Sequence, residues 1–158
     1  MSVSSLRRPH LGEEALPVSG ASRPIMLATL AVRFDSAAAE FAVDSAVEAG
    51  QTLIVVNVVE LEFMPSCLML GYDQMTQRPE LVEALRAPAV LACSLGVQVE
   101  RLRVKSPHPI DALIELVAER EPGLLVFGPD RNELKPRAYR KAVRKIRERS
   151  ACLLWVPE

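Results

Sequence analysis

The sequence predicts an α/β domain built on a parallel five-stranded sheet with helices on both faces. Three observations carry this. Short apolar runs alternate with segments of helical periodicity five times along the chain. The runs are apolar throughout rather than alternating, as strands buried on both faces are. The 158 residues, 49% hydrophobic and 25% charged, suit one domain with a core that needs no metal or disulfide to hold it. Right-handed crossovers then join the strands.

Residues 1–23 stand apart. Ser2, Ser4, Ser5, Pro9, Gly12, Pro17 and Gly20 crowd a stretch with few large apolar side chains, which reads as a flexible tail. The domain is expected to span 24–158. Ile25 to Val32 is the first strand. Asp35-Ser36 caps a helix whose inner face carries Ala38, Phe41, Ala42, Ala46 and Ala49, and Gly50 ends it. Leu53 to Val59 is a strongly β-branched second strand. Residues 60–78 have no clean period and read as a long surface connection, with a mobile apolar lid as the other reading. Pro79 to Leu95 is helical, and Pro88 inside it is expected to kink or split the helix. Gly96 closes it. Val97, Val99, Leu102 and Val104 mark the third strand. Ser106-Pro107-His108-Pro109 is a rigid turn, with Pro109 suited to a first helical position. Ile110, Leu113, Ile114 and Val117 then form an inner helical face. Leu124 to Phe127 is the fourth strand, followed by Gly128. Residues 136–149 form a helix with Tyr139, Ala142, Val143 and Ile146 inward, and Cys152 to Val156 is the fifth strand.

Charge and composition narrow the functions. The net charge is −1, so the total does not suggest a nucleic-acid binder. Aromatics at 4% disfavour base-stacking platforms. Cys67, Cys93 and Cys152 are odd in number, far apart and without a CxxC, so they read as reduced thiols in a cytoplasmic protein rather than as a metal site or a disulfide framework. No apolar run approaches the roughly 18 residues of a membrane span, and no signal peptide is visible. The charge is uneven: residues 131–149 hold nine cations and two carboxylates, a net of +7, leaving −8 elsewhere. Lys135, Arg137, Arg140, Lys141, Arg144 and Lys145 therefore form a candidate patch for an anion or an acidic protein partner. Nucleic acid is the less favoured occupant, since a one-sided helix without aromatics is poorly equipped to read bases.

Neither His10 nor His108 has companions resembling a triad or a metal cluster. Asp35, Asp44 and Asp111 fall at helix starts or faces, as caps and solvated acids do. Asp130, after Gly128 and Pro129, lies where open α/β sheets bind ligands. No nucleophile and base pair is identifiable, so the expectation is a non-enzyme without a metal. Leu153 and Trp155 lie on a strand expected at a sheet edge, where a second copy would cover them.

Leu53-Ile54-Val55-Val56-Asn57-Val58-Val59-Glu60, Gly96-Val97-Gln98-Val99, Gly123-Leu124-Leu125-Val126-Phe127-Gly128 and the closing Ala151-Cys152-Leu153-Leu154-Trp155-Val156-Pro157 together resemble the universal stress proteins over about residues 25–157. The resemblance implies a sheet of order 3-2-1-4-5 and frequent dimerisation through the last strand. It also implies, for the family's nucleotide-binding branch, an Asp closing the first strand and a loop G-x-x-G-x9-G-[ST] after the fourth, whose backbone N–H groups approach phosphates. Here the Asp position falls on Leu30. Gly128 matches the first glycine, Arg131 stands at the second, and Tyr139-Arg140 stands at the final pair when counted back from Ala151-Cys152. Pro129 and Pro136 supply no N–H. The expectation is therefore a regulatory or interaction domain, without ATP in the family's usual mode and with no cofactor. The alternative is an adenine-nucleotide site (ATP, ADP or AMP) rebuilt around Gly128, Asp130, Arg131 and Arg140, with Thr29 and Val58 lining the base pocket.

Overall fold

Five short apolar segments meet side by side in the computed structural model, which describes residues 23–61 and 79–158. In chain order the elements are β1 (Ile25–Leu30), α1 (Ser36–Ala49), β2 (Leu53–Glu60), α2 (Pro79–Ser94), β3 (Val99–Ser106), α3 (Pro109–Arg120), β4 (Leu124–Phe127), α4 (Pro136–Arg149) and β5 (Leu153–Trp155). All strand pairs are parallel, in the order β3-β2-β1-β4-β5. The predicted class and strand order are thus those of the structure.

The pleat divides the core in two. Met26, Ala28, Ile54, Val56, Leu125 and Phe127 face α3 and α4, which answer with Leu113, Ile114, Val117, Tyr139, Ala142 and Ile146. Ile25, Leu27, Leu53, Val55 and Val126 face the other way, against Ala38, Ala42 and Ala46 of α1 and Leu85 and Ala92 of α2. The small residues of α1 let it lie close to the sheet. The edge strand β3 is half-exposed along its length, and its Glu100 pairs with Arg120 of α3 at 2.9 Å.

Local chemistry sets the boundaries. Asp35 caps α1, accepting from the Ala38 amide at 3.0 Å, and Gly50 ends it at φ +62°, the left-handed region that suits glycine. Pro109 occupies the start of α3 as expected. Pro88 does not split its helix: α2 runs unbroken through it, with Pro88 buried beside α1. A proline removes a single helical hydrogen bond, and packing against α1 offsets that loss. β1 ends at Leu30 rather than Val32, β3 begins at Val99 rather than Val97, and β5 is Leu153–Trp155. Cys93 is exposed and Cys152 half-buried, both as free thiols. His10, Cys67, nearly all of the 1–23 tail and nearly all of the 60–78 connection lie outside the described residues.

Candidate functional site

In an open parallel sheet, ligands meet the protein at the carboxyl ends of the strands. There a cleft of about 530 Å³ opens between the end of the sheet, the start of α3 and the inner flank of α4. Leu30 and Val58 form its apolar base, Ile110 and Leu134 its sides, and Lys141 and Lys145 of α4 its cationic wall. His108 and Asp111 border it from α3.

Two buried polar residues shape the base. Thr29 and Asn57 are paired across β1 and β2, and each is only 1% exposed. The Asn57 side-chain oxygen accepts from the Ala31 amide at 3.0 Å, and the Thr29 hydroxyl donates to the Val32 carbonyl at 3.0 Å. Together they hold Ala31 at φ +53°, a backbone region costly for a residue with a Cβ. This turn ends β1 and directs the chain toward α1. Thr29 therefore spends its hydroxyl on the fold and does not line the cleft, whereas Val58 does.

Asp111 joins α3 to α4. Its carboxylate lies 2.8 Å from Lys145 Nζ and 2.5 Å from Arg149 Nη1. The Lys145 hydrogen bond, partly opposed by desolvation and reinforced by Arg149, holds this carboxyl below its ordinary value of 3.8. The sequence places Asp111 only as an acid at a helix start or face. Its partners are more than thirty residues away, so only the crossing of two helices discloses the pairing.

The β4–α4 loop is tied to its neighbours. The Gly128 amide donates to the Ala28 carbonyl at 3.0 Å, and the Gly128 carbonyl accepts from Asp35 N–H at 2.9 Å. The Asp130 amide donates to the Arg33 carbonyl at 2.8 Å. The amides of Glu133 and Leu134 donate to the Asp130 carbonyl, both at 3.1 Å, and that of Asn132 to the Asp130 carboxylate at 2.9 Å. The Arg33 guanidinium pairs with Glu133, whose carboxylate also takes the Arg33 amide at 3.1 Å. Pro129 bridges Phe34. Asp130 is thus the organiser of a turn. Gly128 is required for packing, because a Cβ there would run into the Ala38 Cβ of α1.

The remaining cations divide by helical position. Arg131 lies over the Tyr139 ring, 4.9 Å from its centre, and Tyr139 stacks on Phe127. Burial raises the Tyr139 phenol above its ordinary 10.0, and its hydroxyl has no hydrogen-bond partner among the described residues. Arg140 and Arg144 border a separate shallow depression with Val143 and Arg147. Lys135 and Arg137 are exposed. Of the sequence-predicted residues, Val58, Lys141 and Lys145 meet at the cleft; Thr29, Gly128, Asp130, Arg131 and Arg140 do not. Leu153 is 70% exposed on the edge strand β5, while Trp155 is half-covered, stacked on Phe41 of α1 at 4.4 Å. Among the described residues no group of three or more His, Cys, Asp or Glu side chains is placed to hold a metal ion.

The sequence matches the model of the universal stress protein family over residues 22–152. Universal stress protein UspA from Lactobacillus plantarum superposes with a TM-score of 0.67 at 13% identity, over 87% of this chain and 98% of its own. A universal stress protein in complex with cAMP gives 0.60 at 20%, over 87% and 99%. The universal stress protein from Archaeoglobus fulgidus in complex with dAMP gives 0.58 at 18%, over 86% and 98%. No curated protein sequence matches this chain significantly.

Proposed function

The chain belongs to the universal stress protein family, and from that premise we propose that it is a regulatory interaction domain that does not take ATP in the way of a glycine-loop nucleotide binder. One observation carries this reading. Five amides of the β4–α4 loop, those of Gly128, Asp130, Asn132, Glu133 and Leu134, already donate within the protein, and Pro129 and Pro136 have none to give. A phosphate cradle needs such groups converging on the ligand. Freeing those of Gly128 and Asp130 would break the contacts that fasten this loop to β1 and to Arg33, and freeing the other three would undo the turn around Asp130. Arg131 and Arg140 stand away from the cleft, so a phosphate site rebuilt through them gains no support.

The domain works by contact rather than catalysis. His108 borders the cleft, the Ser106 hydroxyl beside it accepts the His108 amide at 3.0 Å, and its neighbour Asp111 is committed to Lys145 and Arg149. The working form is a homodimer in the cytoplasm. The exposed edge of β5, with Leu153 outermost, and the free thiols of Cys93 and Cys152 support those two points. Among the described residues no helix is long and apolar enough to cross a membrane.

Calorimetric titration with ATP, ADP and AMP tests the reading. It expects no heat at millimolar ligand, and micromolar binding would overturn it. Light scattering across a concentration series tests the dimer, which a constant monomer mass would refute.

A further inference from the structure

The outer flank of α4 carries an arrangement that nothing inside the described protein accounts for. Arg137, Arg140, Arg144 and Arg147 follow one another at steps of three and four residues, which puts them on one stripe of the helix. All four are exposed, and none forms an ion pair among the described residues. Lys145 and Arg149, elsewhere on the helix, differ: they hold Asp111.

Intrinsic helix energetics do not favour the stripe. Like charges three and four apart repel. The helix dipole rewards cations in the last turn, where Arg147 lies, and penalises them in the first, where Arg137 lies. Yet the first turn of α4 contains no acidic residue. The stripe is therefore held at some cost to the isolated helix, which a partner outside it would offset.

We propose that this stripe is a docking surface for an amphipathic, acidic helix of a partner protein. The inference rests on reading the domain as an interaction module. Carboxylates three and four residues apart on a helix stand about 5–6 Å from one another, the same spacing as the arginines they would meet. Arginine forks bind carboxylates bidentately, which explains arginine rather than lysine at all four positions. The shallow depression between Arg140, Arg144 and Arg147, which Glu148 also borders, exposes part of Val143 and Tyr139, a place for one apolar side chain of the incoming helix. A long polyanion fits less well. The stripe presents no exposed aromatic side chain for bases, and the −8 carried outside residues 131–149 repels a chain of phosphates that extends past the patch.

The test uses fluorescence anisotropy with a helix-forming peptide whose glutamates repeat at three and four residues around one leucine. The comparison probes are a scrambled peptide of equal composition, duplex DNA, and phosphatidylserine vesicles. The proposal expects the patterned peptide to bind at least about tenfold tighter than the scrambled one, with affinity falling as salt rises. Arg140→Gln with Arg144→Gln and Arg147→Gln should lose that binding, while Arg86→Gln with Arg101→Gln should keep it. The triple variant should unfold at the same urea concentration as wild type or higher; a marked loss of stability would mean the arginines serve the fold and would overturn the proposal. Equal binding of both peptides, or tighter binding of DNA or vesicles, also overturns it. Nucleotide titration on the same sample separates the failures. Nucleotide heat defeats the interaction-domain reading itself. Silence with both peptide and nucleotide defeats only this surface.

Discussion

Replacing Gly128 by alanine asks directly what that glycine is for. Its ideal Cβ would lie well under 3.0 Å from the Ala38 Cβ. Carbon atoms rest at about 3.5–4.0 Å, so α1 has to retreat from the sheet by roughly 1 Å near its first turn. The obstacle is fixed to helix backbone and cannot swing away. Retreat strains the Asp35 amide bond to the Gly128 carbonyl and loosens Ala42 and Val43 beneath the helix. Overpacking of this kind costs about 3 kcal/mol. At about 3 °C per kcal/mol for a chain of this size, Tm should drop by roughly 9 °C. Ala38→Gly supplies the second arm. Alone it costs about 1 kcal/mol in helix propensity. In the double variant the new methyl occupies the space that Ala38 vacates, so most of the Gly128→Ala penalty should vanish, a coupling of about 2 kcal/mol. Urea unfolding of the four proteins measures the cycle. If Gly128→Ala stays within about 0.5 kcal/mol of wild type, or if the two effects simply add, the packing role of Gly128 is refuted.

Asn57→Ala should destabilise by about 1–3 kcal/mol, because the buried Ala31 amide loses its acceptor and its turn loses support; unchanged urea unfolding would show that the bond is dispensable. Asp111→Asn tests the α3–α4 clamp through pH. The Asp111 carboxyl is held below its ordinary 3.8 in the folded protein, so its stabilising effect is full above that value and is lost as pH falls through it toward the lower folded value. The stability gap between wild type and Asp111→Asn should therefore stay level from pH 8 to 5 and close below about pH 4. Thermal unfolding across that range checks it, and a gap that widens on acidification contradicts the clamp. Tyr139→Phe should be neutral or mildly stabilising, since the lost hydroxyl is enclosed without a partner; a loss above about 1 kcal/mol would mean that the hydroxyl does hold a bond.

The architecture was legible in the sequence because burial on both faces writes itself into composition. Leu53 to Val58 reads as an interior strand wherever it occurs, and the alternation of strand and helix leaves little choice of class. Helix ends were legible where a single residue type decides them, as Asp35 and Gly50 do. Pro88 left a kink and a split both open, and the helix continues through it, because a proline's effect depends on what its helix packs against. The site was less legible for the same reason. Successive residues on a helix turn by about 100°, so membership of a basic segment does not say which cations enter a cleft. Lys141 and Lys145 enter it, whereas Arg140 faces the opposite flank. Asn57, buried in a run of valines, is the residue that the sequence could have singled out: a lone amide in a two-sided strand needs a partner. Its partner, the Ala31 amide, becomes visible only once β1 and β2 are set in register.

On the proposed reading the β4–α4 loop, with five amides donating inside the protein, takes no nucleotide. Denaturing mass spectrometry of the protein purified without added ligand tests it most directly, since a tight site retains what the cell supplies. The expected result is a nucleotide-free protein and no gain in Tm on adding millimolar ATP. Stoichiometric release of an adenine nucleotide would contradict it.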